Sequence, residues 1–467
     1  MKVKSFVLAM TVLPALPALS AGYAADSIHS LYLTGSSSMR YSIAASIKKL
    51  CTNASGMLTV YKNGPDASSL ANQMVYVCTQ PMAGTGILTV YHTTTGGSLN
   101  SILGMSNDVA KQQVPVSKDC IGLTGTVAGT GALTGYTVRP NCSLETSAVP
   151  SDGGFSGVEY GPVSEQVTGL TTGVDGFGLF DVTQDFTGVA QAFGIAVSEK
   201  MYKDLQTAQG LTAGGCIAGD PLPACQPSLS RADIVSLINN NVFSAQKNGA
   251  EALGLTAGAS IQYARGVTTS GTQSGAQVYF LGKGCLTGEN FGQLMVIGDE
   301  IASGTTQSYN RGLFTVSANS GTSDVITKLT AAGNTSYAFG VVSMENRSPV
   351  GTTGWRFVKM NGVAISDGTA TGLNKQNALD GRYDYFFEVV TYKGPTTTTD
   401  TDEGTLIDAI AAKMATVTAD GGSVTLGMFI GPENMGGYTH AAYPSEVSFY
   451  ERGGSTPNSC APVNRPN

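Results

Sequence analysis

Three stretches set Gly, Ser and Thr between an apolar run and a helix-like run. They are Thr34-Gly35-Ser36-Ser37-Ser38 ahead of Met39, Thr93 through Ser98, and Arg265-Gly266-Val267-Thr268-Thr269-Ser270-Gly271-Thr272. A helix start presents unpaired N–H groups and about half a positive charge, small residues let a ligand approach that backbone, and hydroxyls add donors. A lone Ser or Gly at such a place is ordinarily an N-cap. Three of them with Arg265 beside the last point to anion binding, because a guanidinium can hold two oxygens of a tetrahedral oxyanion while Ser270, Gly271 and Thr272 donate from the turn. Asp181 ends the run Phe177-Gly178-Leu179-Phe180. An ionised carboxylate only accepts hydrogen bonds, so it suits an anion that still carries a proton, as hydrogen phosphate does and sulfate does not. By itself, an Asp after an apolar run is a turn residue.

The elements that must position these residues alternate as parallel α/β folds do. Ser30 to Thr34 reads as a strand and Met39 to Leu50 as a helix; Ile87 to His92 reads as a buried strand, with a short helix through Leu103. Residues 106 to 168 lose helical periodicity and read as an insertion of loops and short strands. The rhythm returns with Phe177 to Val182 and Ala192 to Val197 as strands and Ser198 to Gln206 as a Ser-capped helix. Ser230 with Asp233 starts another helix. Ile261 to Arg265 and Thr272 to Leu281 make the third strand-turn-helix. A helix near Ser323 to Ala332, strands at Tyr337 to Val342, Trp355 to Met360 and Tyr385 to Thr391, and a helix at Leu406 to Met414 follow.

With 467 residues, 42% hydrophobic, 13% charged and 60 Gly, the chain has core enough for two lobes joined by many turns. A net charge of −7 lacks the basic footprint of a nucleic-acid binder. Lys2 and Lys4, the apolar run Phe6 to Leu19 and the small residues around Ala24 have the form of a signal peptide, residues 1–24, cleaved near Ala24. No later run reaches the roughly 18 apolar residues of a membrane span. Periplasmic or secreted placement is expected, and the eight cysteines suit it. Cys216 with Cys225 and Cys120 with Cys142 are the local pairs; Cys51 with Cys78 and Cys285 with Cys460 are one way to pair the rest, which spacing leaves open. No metal-ligand spacing, nucleophile elbow or phosphate-loop motif appears, and the three histidines, His29, His92 and His440, are far apart. No cofactor, no metal and no enzymatic activity is expected.

Several of these segments resemble the phosphate-type periplasmic substrate-binding proteins of ABC importers, which have a type 2 periplasmic-binding fold. Thr34 to Ser38 is similar to the family's first phosphate loop, Phe177 to Asp181 to its F-G-x-S-D segment, Gln191 to Val197 to its entry into the second lobe, and Arg265 to Tyr279 to its R-x-D-G-S-G-T loop and helix. The resemblance implies an α/β protein of two lobes, each a mixed sheet flanked by helices, with a Gly/Thr-rich disulfide-stapled insertion. Lobe one would comprise residues 25–190 and 343–467, with the insertion at about 106–168, and lobe two residues 191–342. It implies binding of inorganic phosphate or a similar oxyanion by Ser38, the Met39 amide and Ser98 from one lobe and by Arg265, Ser270, Gly271 and Thr272 from the other. Asp181 would accept a hydrogen bond from the ligand, and an ABC importer membrane complex is the implied partner. Ser at 38 and Val267 depart from the family pattern, so the cognate anion is open. A secreted phosphate-ester hydrolase and a surface or structural protein reusing the binding fold are the alternatives.

Overall fold

The computed structural model describes residues 28–51, 58–79, 87–105, 110–114, 116, 120, 127–130, 133–161, 183–238, 249–285, 301–346, 354–365, 375–394, 401–419, 427–431, 438–452 and 458–465. Strand β1 (Ile28–Gly35) leads through a short turn into α1 (Arg40–Leu50), and β2 (Leu58–Lys62), β3 (Gln73–Cys78), β4 (Ile87–Thr93) and α2 (Asn100–Leu103) follow. Next come β5 (Gly153–Ser156), β6 (Thr183–Ser198), α3 (Glu199–Ala208), α4 (Arg231–Ile238), β7 (Ile261–Gly266) and α5 (Gly271–Leu281). The chain continues through β8 (Phe314–Asn319), α6 (Thr322–Ala332), β9 (Tyr337–Ser343), β10 (Phe386–Lys393) and α7 (Thr401–Ala419). The class is the mixed α/β one expected, with one large mixed sheet, flanking helices and an insertion stapled by Cys120–Cys142.

The strand order is Thr306–Tyr309, β8, β7, β9, β6, β10, β5, β1, β4, β3, β2, Thr137–Arg139 and Val127–Ala128. Two parallel runs matter for function. Strand β1 pairs with β4 from Ile28 opposite Ile87 to Thr34 opposite Thr93, so both strands leave the sheet at one edge. Strand β7 is parallel to β8, with Gly266 opposite Asn319, and to β9, with Ala264 opposite Gly340.

The 16-residue β6 joins the two groups. Its first part, from Thr183 to Ala192, pairs antiparallel with β10, and its last part, from Phe193 to Val197, with β9. The register slips between Phe186 and Ala190, where Gly188 sits at φ +74°, a left-handed bend that favours glycine. The strand expected at Ala192 to Val197 is thus the second half of a longer one, and Phe177 to Val182 lies outside the described residues. Within 106–168, the Gly-rich β5 is a central strand between β1 and β10. Its first two residues can pass there only because they are glycines: a Cβ on Gly153 would lie 2.3 Å from the Tyr392 carbonyl oxygen and one on Gly154 2.2 Å from the Thr34 carbonyl oxygen.

Two cores flank this sheet. One gathers Leu31, Leu33, Ile43 and Ile47 with Ile407, Ile410 and Met414 of α7. The other gathers Ile195, Val197, Tyr202 and Leu205 with Tyr263, Phe314, Leu329 and Phe339, and also takes in Leu99, Val158 and Trp355. Helix starts are as their sequences require: the Ser198 hydroxyl accepts from the Met201 amide, and Ser230 and Asp233 cap one another reciprocally. Disulfides join Cys51–Cys78, Cys120–Cys142, Cys216–Cys225 and Cys285–Cys460.

Candidate functional site

Parallel pairing carries the small-residue turns to common edges, and the packing then brings turns of different strands into contact. The turn after β4 touches the turn after β7: the Leu99 amide donates to the Thr269 carbonyl at 3.0 Å. The approach is backbone to backbone, since a Cβ on Gly97 (φ +85°) would fall 2.7 Å from Ser270 Cα, and a Cβ on Gly271 would fall 2.1 Å from Ser98 Oγ. Glycine is required at both places for the two turns to meet. The turn after β1 reaches the start of α6, where Ser37 Oγ and Thr322 Oγ1 are 3.4 Å apart. This fourth junction, Ser320-Gly321-Thr322, follows β8, which lies beside β7, and sequence reasoning passed over it. The signal was there: Gly and two hydroxyl residues between an apolar strand and a helix.

In the first turn the Ser36 hydroxyl accepts from the Ser38 amide at 3.3 Å and lies 2.7 Å from Ser38 Oγ, while the Met39 amide donates to the Ser36 carbonyl at 3.2 Å. Ser38 and Met39 are buried beneath Gly157, where a Cβ would lie 3.5 Å from Ser38 Oγ and from Met39 Cε. Gly157 follows β5, so the chain leaving this central strand covers two of the predicted site residues. In the second turn, Ser98 is buried and its hydroxyl has no hydrogen-bond partner among the described residues. With Ser101, Ser156, Val158, Tyr160 and Tyr392 it lines a small pocket.

In the third turn Arg265 is 1% exposed at the end of β7. Its Nε donates to the Gly266 carbonyl at 3.0 Å, and its own carbonyl accepts from Asn319 Nδ2 at 2.8 Å, which ties the ends of β7 and β8 together. Ser270 caps α5 by accepting from the Gln273 amide at 3.4 Å; Gly271 and Thr272 form the buried first turn of that helix. Among the sequence candidates, Ser98 and Gly271 are therefore in direct contact, Ser38 and Met39 sit in the neighbouring turn, and Asp181 lies outside the described residues.

Buried and part-buried titratable groups outside the predicted site residues lie close to these turns in the chain. Arg40, the first residue of α1, is buried, with Nε on the Ser37 carbonyl and Nη1 on Asn72 Oδ1, both at 3.1 Å. His92, at the end of β4, is fully buried with both ring nitrogens unpartnered among the described residues, and burial together with the Arg40 charge lowers it to about 3, so it is neutral at ordinary pH. Glu159, just past Val158, is raised to about 7, chiefly by burial, with the Ser459 backbone opposing and Glu388 adding to the rise. Its signal in the sequence, an acidic residue in Gly-Phe-Ser-Gly-Val-Glu, was hidden because the stretch reads as loop.

No family model and no curated protein matches this chain. Among solved structures it is similar to an ABC-type phosphate transport receptor from Vibrio cholerae, at 10% identity and a TM-score of 0.36, over 83% of this chain and 98% of that one. It is also similar to PstS from Borrelia burgdorferi, at 9% identity and a TM-score of 0.31, over 84% and 94% of the two chains. These are distant matches, and the reading of the site rests on its own geometry.

Proposed function

We propose that this protein reversibly captures phosphate or a related oxyanion in a cleft between two lobes, at the carboxyl ends of the strands. The observation that carries this reading is the meeting of the second and third turns, where the buried, unpartnered Ser98 hydroxyl lies against Gly271 beside buried Arg265. A buried hydroxyl without a partner is unfavourable, and an anion oxygen would satisfy it. Arg265 supplies the charge, the start of the 11-residue α5 supplies oriented amides, and the turn after β1 offers Ser38 and the Met39 amide once it opens. Ser270, Gly271 and Thr272 donate from the opposite side, and Asp181 is the proposed acceptor for a proton-bearing anion.

The lobes of this proposal are residues 25–190 with 343–467 and residues 191–342, linked by β6, with residues 1–24 as an export signal. Closure around the anion would be followed by hand-over to an ABC importer or by retention as a periplasmic or secreted scavenger. Among the described residues no helix is long and apolar enough to cross a membrane. Equilibrium dialysis with inorganic phosphate tests the reading: one anion per chain is expected for the wild type, with affinity cut tenfold or more in Arg265→Ala and in Ser98→Val. Phosphate retention indistinguishable among the three proteins would refute it.

A further inference from the structure

Strand β9 runs parallel to β7, with Tyr337 opposite Ile261 and Gly340 opposite Ala264, so the chain leaving β9 emerges on the same edge as Arg265 and the third turn. Glu345 lies two residues past that exit and is 7% exposed. Among the described residues neither carboxyl oxygen has a partner of good hydrogen-bond geometry, and the Asn346 side chain is the donor that approaches it. Its turn is held in place: the Met344 amide donates to the Ala192 carbonyl at 3.0 Å, where β6 passes between its two pairings, and Asn346 Nδ2 donates to Ser343 Oγ at 3.0 Å. A charged group that acts on Glu345 is Arg40, the first residue of α1, which follows the turn after β1. A buried, fixed carboxyl that its described neighbours leave incompletely hydrogen-bonded is costly to the fold and is understandable if a ligand completes it.

We propose that Glu345 is a ligand-contacting residue of the cleft, donating a hydrogen bond from its carboxyl O–H to an unprotonated oxygen of the bound anion, and that it sets which oxyanions are accepted. This rests on the oxyanion reading above. Burial raises the Glu345 carboxyl well above the ordinary glutamate range, against the opposing Arg40 charge and the Asn346 side-chain hydrogen bond, so the acid form persists to higher pH than in an ordinary glutamate. A neutral carboxyl has a donor that a carboxylate lacks. An anion beside it favours the proton further, so binding at a pH where free Glu345 is ionised draws one proton from solution. No bond to the anion forms or breaks; the proton stays on Glu345 Oε. Burial and the Arg40 charge together keep His92 neutral, and Glu159, beside Glu388, is another part-buried carboxyl whose titration must be told apart from that of Glu345. Asp181 would favour protonated anions, and Glu345 widens the site to unprotonated ones at lower affinity.

Sulfate is the probe, because it carries no proton between pH 5 and 9. Calorimetric titration with sulfate and with phosphate, in buffers of different ionisation enthalpy, reads affinity and proton uptake together. In the wild type, sulfate affinity is expected to fall towards tenfold per pH unit above the Glu345 titration, with uptake rising towards one proton. In Glu345→Gln, which keeps an N–H donor but cannot titrate, sulfate affinity is expected to be flat in pH with no uptake. Flat affinity without uptake in the wild type overturns the proposal, whatever becomes of the variant. So does the wild-type slope persisting in Glu345→Gln, or vanishing instead in Glu159→Gln. Binding of phosphate but never of sulfate also overturns it and leaves the oxyanion reading standing, whereas binding of neither removes that reading itself.

Discussion

At the scale of single residues, the site depends on positions that have no side chain as much as on those that do. Gly97 combines a positive φ with a virtual Cβ 2.7 Å from Ser270 Cα, so Gly97→Ala should be strained and should also push the second and third turns apart. A loss of about 1–3 kcal/mol in denaturant unfolding is expected, with anion affinity falling as well. Glu159 gives a pH signature. Its carboxyl is raised to about 7 in the folded chain, so the native state keeps a proton that the unfolded chain releases between the ordinary glutamate range and neutrality. Stability therefore falls as pH rises through that window. Glu159→Gln should match the wild type near pH 4 and melt higher than it by roughly 2–4 °C at pH 8; an equal melting temperature at both pH values would contradict the assignment.

The elements were unevenly legible. Strand-turn-helix units at Ser30 to Leu50 and Ile261 to Leu281 could be read because an apolar strand, a run of small residues and a helical pattern follow in order, and because caps such as Ser198 act locally. Strand β5 could not be read, since two glycines and a serine in four residues look like loop until β1 and β10 close around them. The length of β6 was hidden by the Gly188 bend, and Arg40, His92 and Glu345 come together only through long-range pairing. Cysteine pairing was legible locally for Cys216–Cys225 and Cys120–Cys142, whereas Cys285–Cys460 spans 175 residues. Loop-closure entropy then orders their effects. Replacing Cys285 and Cys460 by Ser should cost about 2–3 kcal/mol more in chemical denaturation than replacing Cys216 and Cys225, whose loop spans only 9 residues. Equal losses would mean that the long bridge does not constrain the unfolded chain.

For the molecule as a whole, one strand takes part in two pairings, four small-residue turns lie at the strand exits, and two cores flank the sheet, one of them running across the proposed lobe division through Leu99, Val158 and Trp355. A ligand that binds only the folded chain must also stabilise it, by about 2.7 kcal/mol when present at a hundred times its dissociation constant. Anion capture is tested most directly by isothermal titration of the anion-stripped protein against a panel of tetrahedral oxyanions, run beside Arg265→Ala. A single site per chain for phosphate or a close relative, weakened at least tenfold in the variant, is the predicted result. No binding heat with any oxyanion at several temperatures, or an affinity untouched by Arg265→Ala, would contradict it.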